Sequence, residues 1–140
     1  MEPQPNTESS ANTPTTIELK AILLVDDDKQ LAGALQWILA DENFLVDVAY
    51  DGEEAMMKIK AHEYDAIICD LMMPRVRGDQ LYLSAIWMRQ ALFGKFIFIT
   101  GHATDPDMKH FLTENDVKYL EKPFPVDALI RCVRELLSNH

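Results

Sequence analysis

Some of what this chain lacks is as informative as what it has. It has two cysteines, Cys69 and Cys132, with no metal-like spacing. One lies in an apolar strand-like run and the other in an apolar helical pattern, which reads as two inert buried thiols and leaves no thiolate metal site. No apolar run approaches the roughly 20 residues of a membrane span, so no membrane association is expected. Residues 1–17 carry neither the basic start nor the apolar centre of a secretory leader, so the cytoplasm is the expected location. Basic charge is scarce: 13 Lys and Arg face 23 Asp and Glu, a formal net charge of -10. With no basic stripe to offset phosphate repulsion, direct binding to nucleic acid is not expected.

What remains is one domain with a tail. Residues 1–18 are rich in Pro, Ser, Thr and Asn and have no apolar period, as expected of a disordered tail. Folding is expected over residues 19–140. There two periods alternate: a continuous apolar run at 21–25 and strand-like stretches at 44–50, 65–69, 95–100 and 117–121, with helical spacing between them. The helical residues are Leu31, Leu35, Ile38 and Leu39; then Ala55, Met56 and Ile59 after Asp51-Gly52; then Leu81, Ala85, Met88 and Leu92 after Gly78. A short helix follows Asp105-Pro106-Asp107, and a last one runs from Pro125 to Leu137. Five strands alternating with five helices predict an α/β fold: a doubly wound (βα)5 three-layer sandwich on a parallel five-stranded sheet of order 2-1-3-4-5, flavodoxin-like. In such a sheet, ligands bind beyond the carboxyl ends of the strands.

Those ends are where the chemistry gathers. Strand one is followed by Asp26, Asp27 and Asp28, strand three by Asp70 and strand five by Lys122, while strand four ends in Thr100. Carboxylates brought within a few ångströms disfavour one another's ionisation. A hard divalent cation relieves the conflict, and Mg²⁺ accepts one or two carboxylates together with phosphate oxygens. Lys122 and Thr100 add a cation and a hydroxyl suited to phosphoryl oxygens, and a carboxylate can act as the nucleophile that forms an acyl phosphate. Taken singly, each feature has a plain alternative: helix caps for Asp26–Asp28, a strand terminus for Asp70, a strand residue for Thr100 and a solvated cation for Lys122. The ordered set is what points to phosphoryl chemistry.

The stretches ILLVDDD (22–28), DLMMP with Gly78 following, ITGHA (99–103) and YLEKPF (119–124) resemble the receiver domain of two-component response regulators. The spacings of 30 residues from Asp70 to Thr100 and 22 from Thr100 to Lys122 are as in chemotaxis-type receivers. The resemblance implies that Asp70 is the phosphoacceptor and that Asp26 and Asp27 hold Mg²⁺ (or Mn²⁺) together with Asp70 and the backbone carbonyl of Met72. Asp28, where the family often has Glu, is not expected to ligate. The resemblance further makes Lys122 a contact of the phosphoryl group, Thr100 the switch hydroxyl and Tyr119 the aromatic that turns inward, and it makes a cis Lys122-Pro123 bond common. It implies a self-phosphorylating and self-dephosphorylating switch rather than a turnover enzyme, with a sensor histidine kinase or phosphotransfer protein as donor and a changed α4-β5-α5 face as output. The effector is not specified, and a homodimer is compatible. Met72 and His102 occupy the positions that tune acyl phosphate lifetime, and apolar Met72 implies slow to moderate loss.

Arg77 stands where the family often has Asp, with Arg75 nearby; both are expected to be solvated or to attract an anionic partner. Trp37 falls off the apolar face of the first helix and is either a kinase-docking anchor or a Trp lying over its neighbours. The third helix is apolar almost all round, through Leu83, Ile86 and Trp87, which predicts burial between neighbours, a dimer contact or a packed tail. Two other classes fit less well. An FMN-binding flavodoxin would need a Ser-, Thr- and Gly-rich first loop rather than an acidic one, and a haloacid-dehalogenase-like phosphatase would place its nucleophile after strand one. A receiver-shaped module that is never phosphorylated would have no need of the full acceptor set. The chain is expected to be either a single-domain regulator or a receiver cut from a longer one.

Overall fold

A computed structural model describes residues 18–101 and 105–138. Five strands, β1 (Ala21–Val25), β2 (Leu45–Ala49), β3 (Ala66–Asp70), β4 (Phe96–Thr100) and β5 (Lys118–Glu121), form one parallel sheet in the order β2-β1-β3-β4-β5. Five helices connect and follow them: α1 (Lys29–Asp41), α2 (Gly52–Ala61), α3 (Gly78–Met88), α4 (Pro106–Glu114) and α5 (Val126–Ser138). The doubly wound sandwich expected from the alternating periods is the one observed.

Strands one, three and four are continuous apolar runs because both faces of the sheet are covered. Leu23, Val25, Ile67, Phe96 and Phe98 point to the side of α2, α3 and α4. Ile22, Leu24, Ile68, Ile97 and Ile99 point to the side of α1 and α5. Beneath α3 and α4, Tyr82 meets Phe96, Phe98 and Phe111 edge-on, with ring centroids 5.0–5.8 Å apart, an arrangement that suits the ring quadrupoles. Helix starts carry acidic caps. Asp28 accepts from the Leu31 amide, Asp51 from Glu54, and Asp105 from Asp107 and Met108 with Pro106 at the first helical position.

Two expectations need correction: Cys132 is only partly buried, and α3 is shorter than its spacing predicts. The apolar period of α3 predicts a helix carrying Met88 and Leu92 on its core face, but the helix ends at Met88, which is 38% exposed. Arg89 leaves helical geometry, and its guanidinium donates to the Ile59 and Lys60 carbonyls at the end of α2. A 3-10 turn, Gln90–Leu92, then delivers Leu92 to the core, and Gly94, with φ 81°, turns the chain into β4.

Candidate functional site

The parallel register brings the ends of β1, β3 and β4 side by side. Val25 pairs with Cys69, and Asp70 with Ile99, so Asp26 and Asp70 lie at one level of the sheet with Thr100 one residue beyond. All three are buried in an otherwise apolar interior. Asp70 is the last residue of β3 rather than the first after it.

One carboxylate oxygen from each of Asp26, Asp27 and Asp70 lies within 4.8 Å of the others. Asp26 Oδ1 accepts the Asp28 amide at 2.9 Å, whereas Asp26 Oδ2 is buried with no hydrogen-bond donor. Asp70 Oδ1 accepts the Met72 amide at 3.1 Å, and Asp70 Oδ2 accepts from Lys122 Nζ at 3.2 Å. The same ammonium is 3.7 Å from Asp26 Oδ2. Burial pushes the Asp26 carboxyl up to about 6 against the pull of the Asp28 amide, and the Asp70 charge adds to the rise. Burial works against the Lys122 ammonium, but Asp70 and Asp26 outweigh it and hold its pKa above the ordinary value. An orphaned carboxylate oxygen facing two further carboxylates fits a hard divalent cation with oxygen ligands, so the residues present suit Mg²⁺.

The remaining expected positions fall as follows. Asp28 caps α1, which occupies its side chain locally. The Thr100 carbonyl accepts the Lys122 amide at 2.8 Å, tying these two positions together through the backbone. The Lys122-Pro123 bond is cis. Tyr119 is 44% exposed on β5, paired in register with Phe98. Met72 is partly buried beside Asp70. Trp37 is 73% exposed, off the core face of α1 as its spacing predicts. His102 lies outside the described residues.

Two features escaped sequence reasoning. Gly78 reads only as a helix start, yet a Cβ there would sit 2.7 Å from the Asp70 carbonyl oxygen and 2.8 Å from Leu71 Cα, and its amide donates to Leu71 O. Only glycine lets α3 begin this close to the acceptor strand. Arg75 has φ 68° and pairs with Asp51 at 3.1 Å, while Arg77 pairs with Asp79 at 2.7 Å. Both arginines are therefore paired, though they reach solvent.

Comparison with known proteins decides the family. The response regulator receiver domain model matches residues 22–134. The chain belongs to that family. This receiver is 34% identical over 118 residues to the response regulator ArlR of Staphylococcus aureus, an alignment spanning 84% of this chain and 52% of the relative. It thus spans about half the length of the curated relatives it matches. Among solved structures, it is similar to a CheY-like receiver domain protein from Methanospirillum hungatei (27% identity, TM-score 0.80, 87% of this chain and 96% of that one). It is also similar to the response regulator TrrA from Thermotoga maritima, solved in complex with Mg²⁺-BeF (29% identity, TM-score 0.74, 85% and 100%). This receiver therefore has the function of a two-component response regulator domain, and its acidic pocket of Asp26, Asp27 and Asp70 is typical of a phosphorylation site. No helix among the described residues is long and apolar enough to cross a membrane.

Proposed function

We propose that Asp70 is the phosphoacceptor of this receiver. The observation that carries this reading is the pairing of Asp70 Oδ2 with Lys122 Nζ beside the orphaned Asp26 Oδ2. Asp26, Asp27, Asp70 and the Met72 carbonyl would hold Mg²⁺, or Mn²⁺, which supplies charge neutralisation for phosphoryl oxygens when bound. An Asp70 oxygen forms the new bond to phosphorus while the donor's bond to phosphorus breaks, and Lys122 offsets charge on the transferred group. The domain thus catalyses its own phosphorylation and the later hydrolysis of its acyl phosphate, without turning over a separate substrate.

Readout runs through Thr100 and Tyr119. The phosphoryl group adds charge and acceptor oxygens; the Thr100 hydroxyl follows them, and Tyr119 moves from its half-exposed position toward the space under β4. This shifts the population of the face made by α4, β5 and α5, which binds the effector. The donor is a cytoplasmic histidine kinase or phosphotransfer protein. An apolar groove formed by Leu31, Ala34, Ile38, Phe124 and Val126 runs up to Lys122 and suits such docking, with Trp37 as an outer anchor on α1.

Intact mass after incubation with Mg²⁺ and acetyl phosphate tests the assignment. One phosphoryl adduct is expected in the wild type and none in Asp70→Asn. No adduct on the wild type, or an adduct that persists in the variant, overturns it.

A further inference from the structure

The face of α3 that points away from the sheet gathers several exposed large apolar side chains. Trp87 is 89% exposed, Phe93 66% and Leu83 54%. Leu83 and Trp87 stand four residues apart and form a ridge. On one flank lies a groove with Ile86 and Phe93 in its wall, and on the other a groove walled by Met56 and Met88. A ridge bordered by grooves on a single patch offers both halves of a ridge-into-groove contact, as a two-fold interface between identical chains requires.

We propose that this face is a homodimer contact that forms without phosphorylation and in which α3 packs against α3 of a second copy, the Leu83–Trp87 ridge of one seated in a groove of the other. Charge favours a second copy. In a chain of net charge -10, residues 80–93 contain a single charged side chain, Arg89, and its guanidinium is turned onto the carbonyls of α2. This segment itself therefore brings no carboxylate to the contact, while Glu63 stands against Arg89 at 3.8 Å, and charge depletion with aromatic and Met enrichment is the composition of interface cores. The area suits a weak dimer. Two largely exposed aromatics of ~150–250 Å² each, with Leu83 and Met88, give roughly 500 Å² per copy and ~1,000 Å² for a pair, the size of a weak, reversible contact. Residues 1–17 offer only Met1 and Ile17 as large apolar side chains, too little to cover the ridge. The contact lies on the other side of the sheet from α5, so it leaves that part of the proposed output face open.

Sedimentation velocity on the full chain, diluted from millimolar to micromolar without a phosphodonor, tests the contact. A reversible monomer–dimer equilibrium is expected. Leu83→Glu and Trp87→Gln should each weaken it at least ~30-fold, as truncated interface anchors do, while Arg131→Glu on α5, on the other side of the sheet, leaves it unchanged; circular dichroism verifies that each variant is folded. A wild type that stays monomeric throughout, or a dimer that survives both α3 variants, overturns the proposal. The result does not depend on whether Asp70 is phosphorylated.

Discussion

Lys122 Nζ donates to Asp70 Oδ2 across 3.2 Å, joining residues 52 apart in the chain. The ammonium also faces Asp26, so it offsets two carboxylates in the absence of metal. Replacing it with an apolar side chain leaves both charges uncompensated. Lys122→Met is expected to lower stability by about 1–3 kcal/mol in the presence of a chelator, a partly exposed version of the loss on breaking a buried pair. It is also expected to slow phosphoryl uptake by at least tenfold. Urea unfolding with and without Mg²⁺, and the rate of adduct formation, check the two effects; the stability loss should shrink as Mg²⁺ is added.

The Asp26 carboxyl titrates near 6 in the folded chain against an ordinary 3.8. The folded state therefore holds this proton over a range where the unfolded state has released it. Its stabilising contribution is complete below about 4 and is lost as the pH rises through 6, so metal-free stability should increase on acidification between these values, by up to about 3 kcal/mol. Asp26→Asn should flatten this dependence. Mg²⁺ competes with the same proton, so its affinity should fall below pH 6. Chelator-treated urea unfolding and calorimetric Mg²⁺ titration across pH 5–8 read both.

Gly78→Ala places a methyl group 2.7 Å from the Asp70 carbonyl oxygen, against backbone that cannot swing aside. Overpacking of this kind costs about 1–3 kcal/mol. Because the strain falls on the acceptor itself, phosphoryl uptake should drop further than the loss of folded protein explains. Single-turnover uptake, corrected for folded fraction by circular dichroism, separates the two.

Met72 presents a thioether beside the acceptor, which cannot orient an attacking water. Met72→Asn adds an amide that can, and is expected to shorten the acyl phosphate half-life several-fold. Following loss of the phosphoryl adduct by intact mass checks the direction; a half-life no shorter than wild type would show that another group controls hydrolysis.

Most of the fold was legible in the sequence because parallel strands buried on both faces are continuous apolar runs, and because Asp26, Asp70 and Lys122 punctuate their ends. The course of α3 was not. Leu92 keeps helical spacing and is buried, yet it belongs to a separate 3-10 turn; periodicity reports which side chains are covered, not which backbone hydrogen bonds cover them. Met88 shows the converse, with the right spacing but an exposed surface. The closeness of Gly78 to Asp70 and the left-handed Arg75 are consequences of tertiary approach, which no local pattern carries. The ion pairs of Arg75 and Arg77 were missed for a different reason: Asp51 and Asp79 serve as well for helix starts as for partners.

The strand order has a further consequence. Asp26, Asp70, Thr100 and Lys122 come from four different strand ends or the turns beyond them, and nothing shorter than the stretch from β1 through β5 assembles them. Closing these loops is an entropic cost incurred before the long-range contacts form. A nascent or partly unravelled chain therefore displays Asp70 as an ordinary solvated carboxylate with neither Lys122 nor Asp26 beside it. Competence to take up a phosphoryl group thus reports that the sheet from β1 through β5 has assembled.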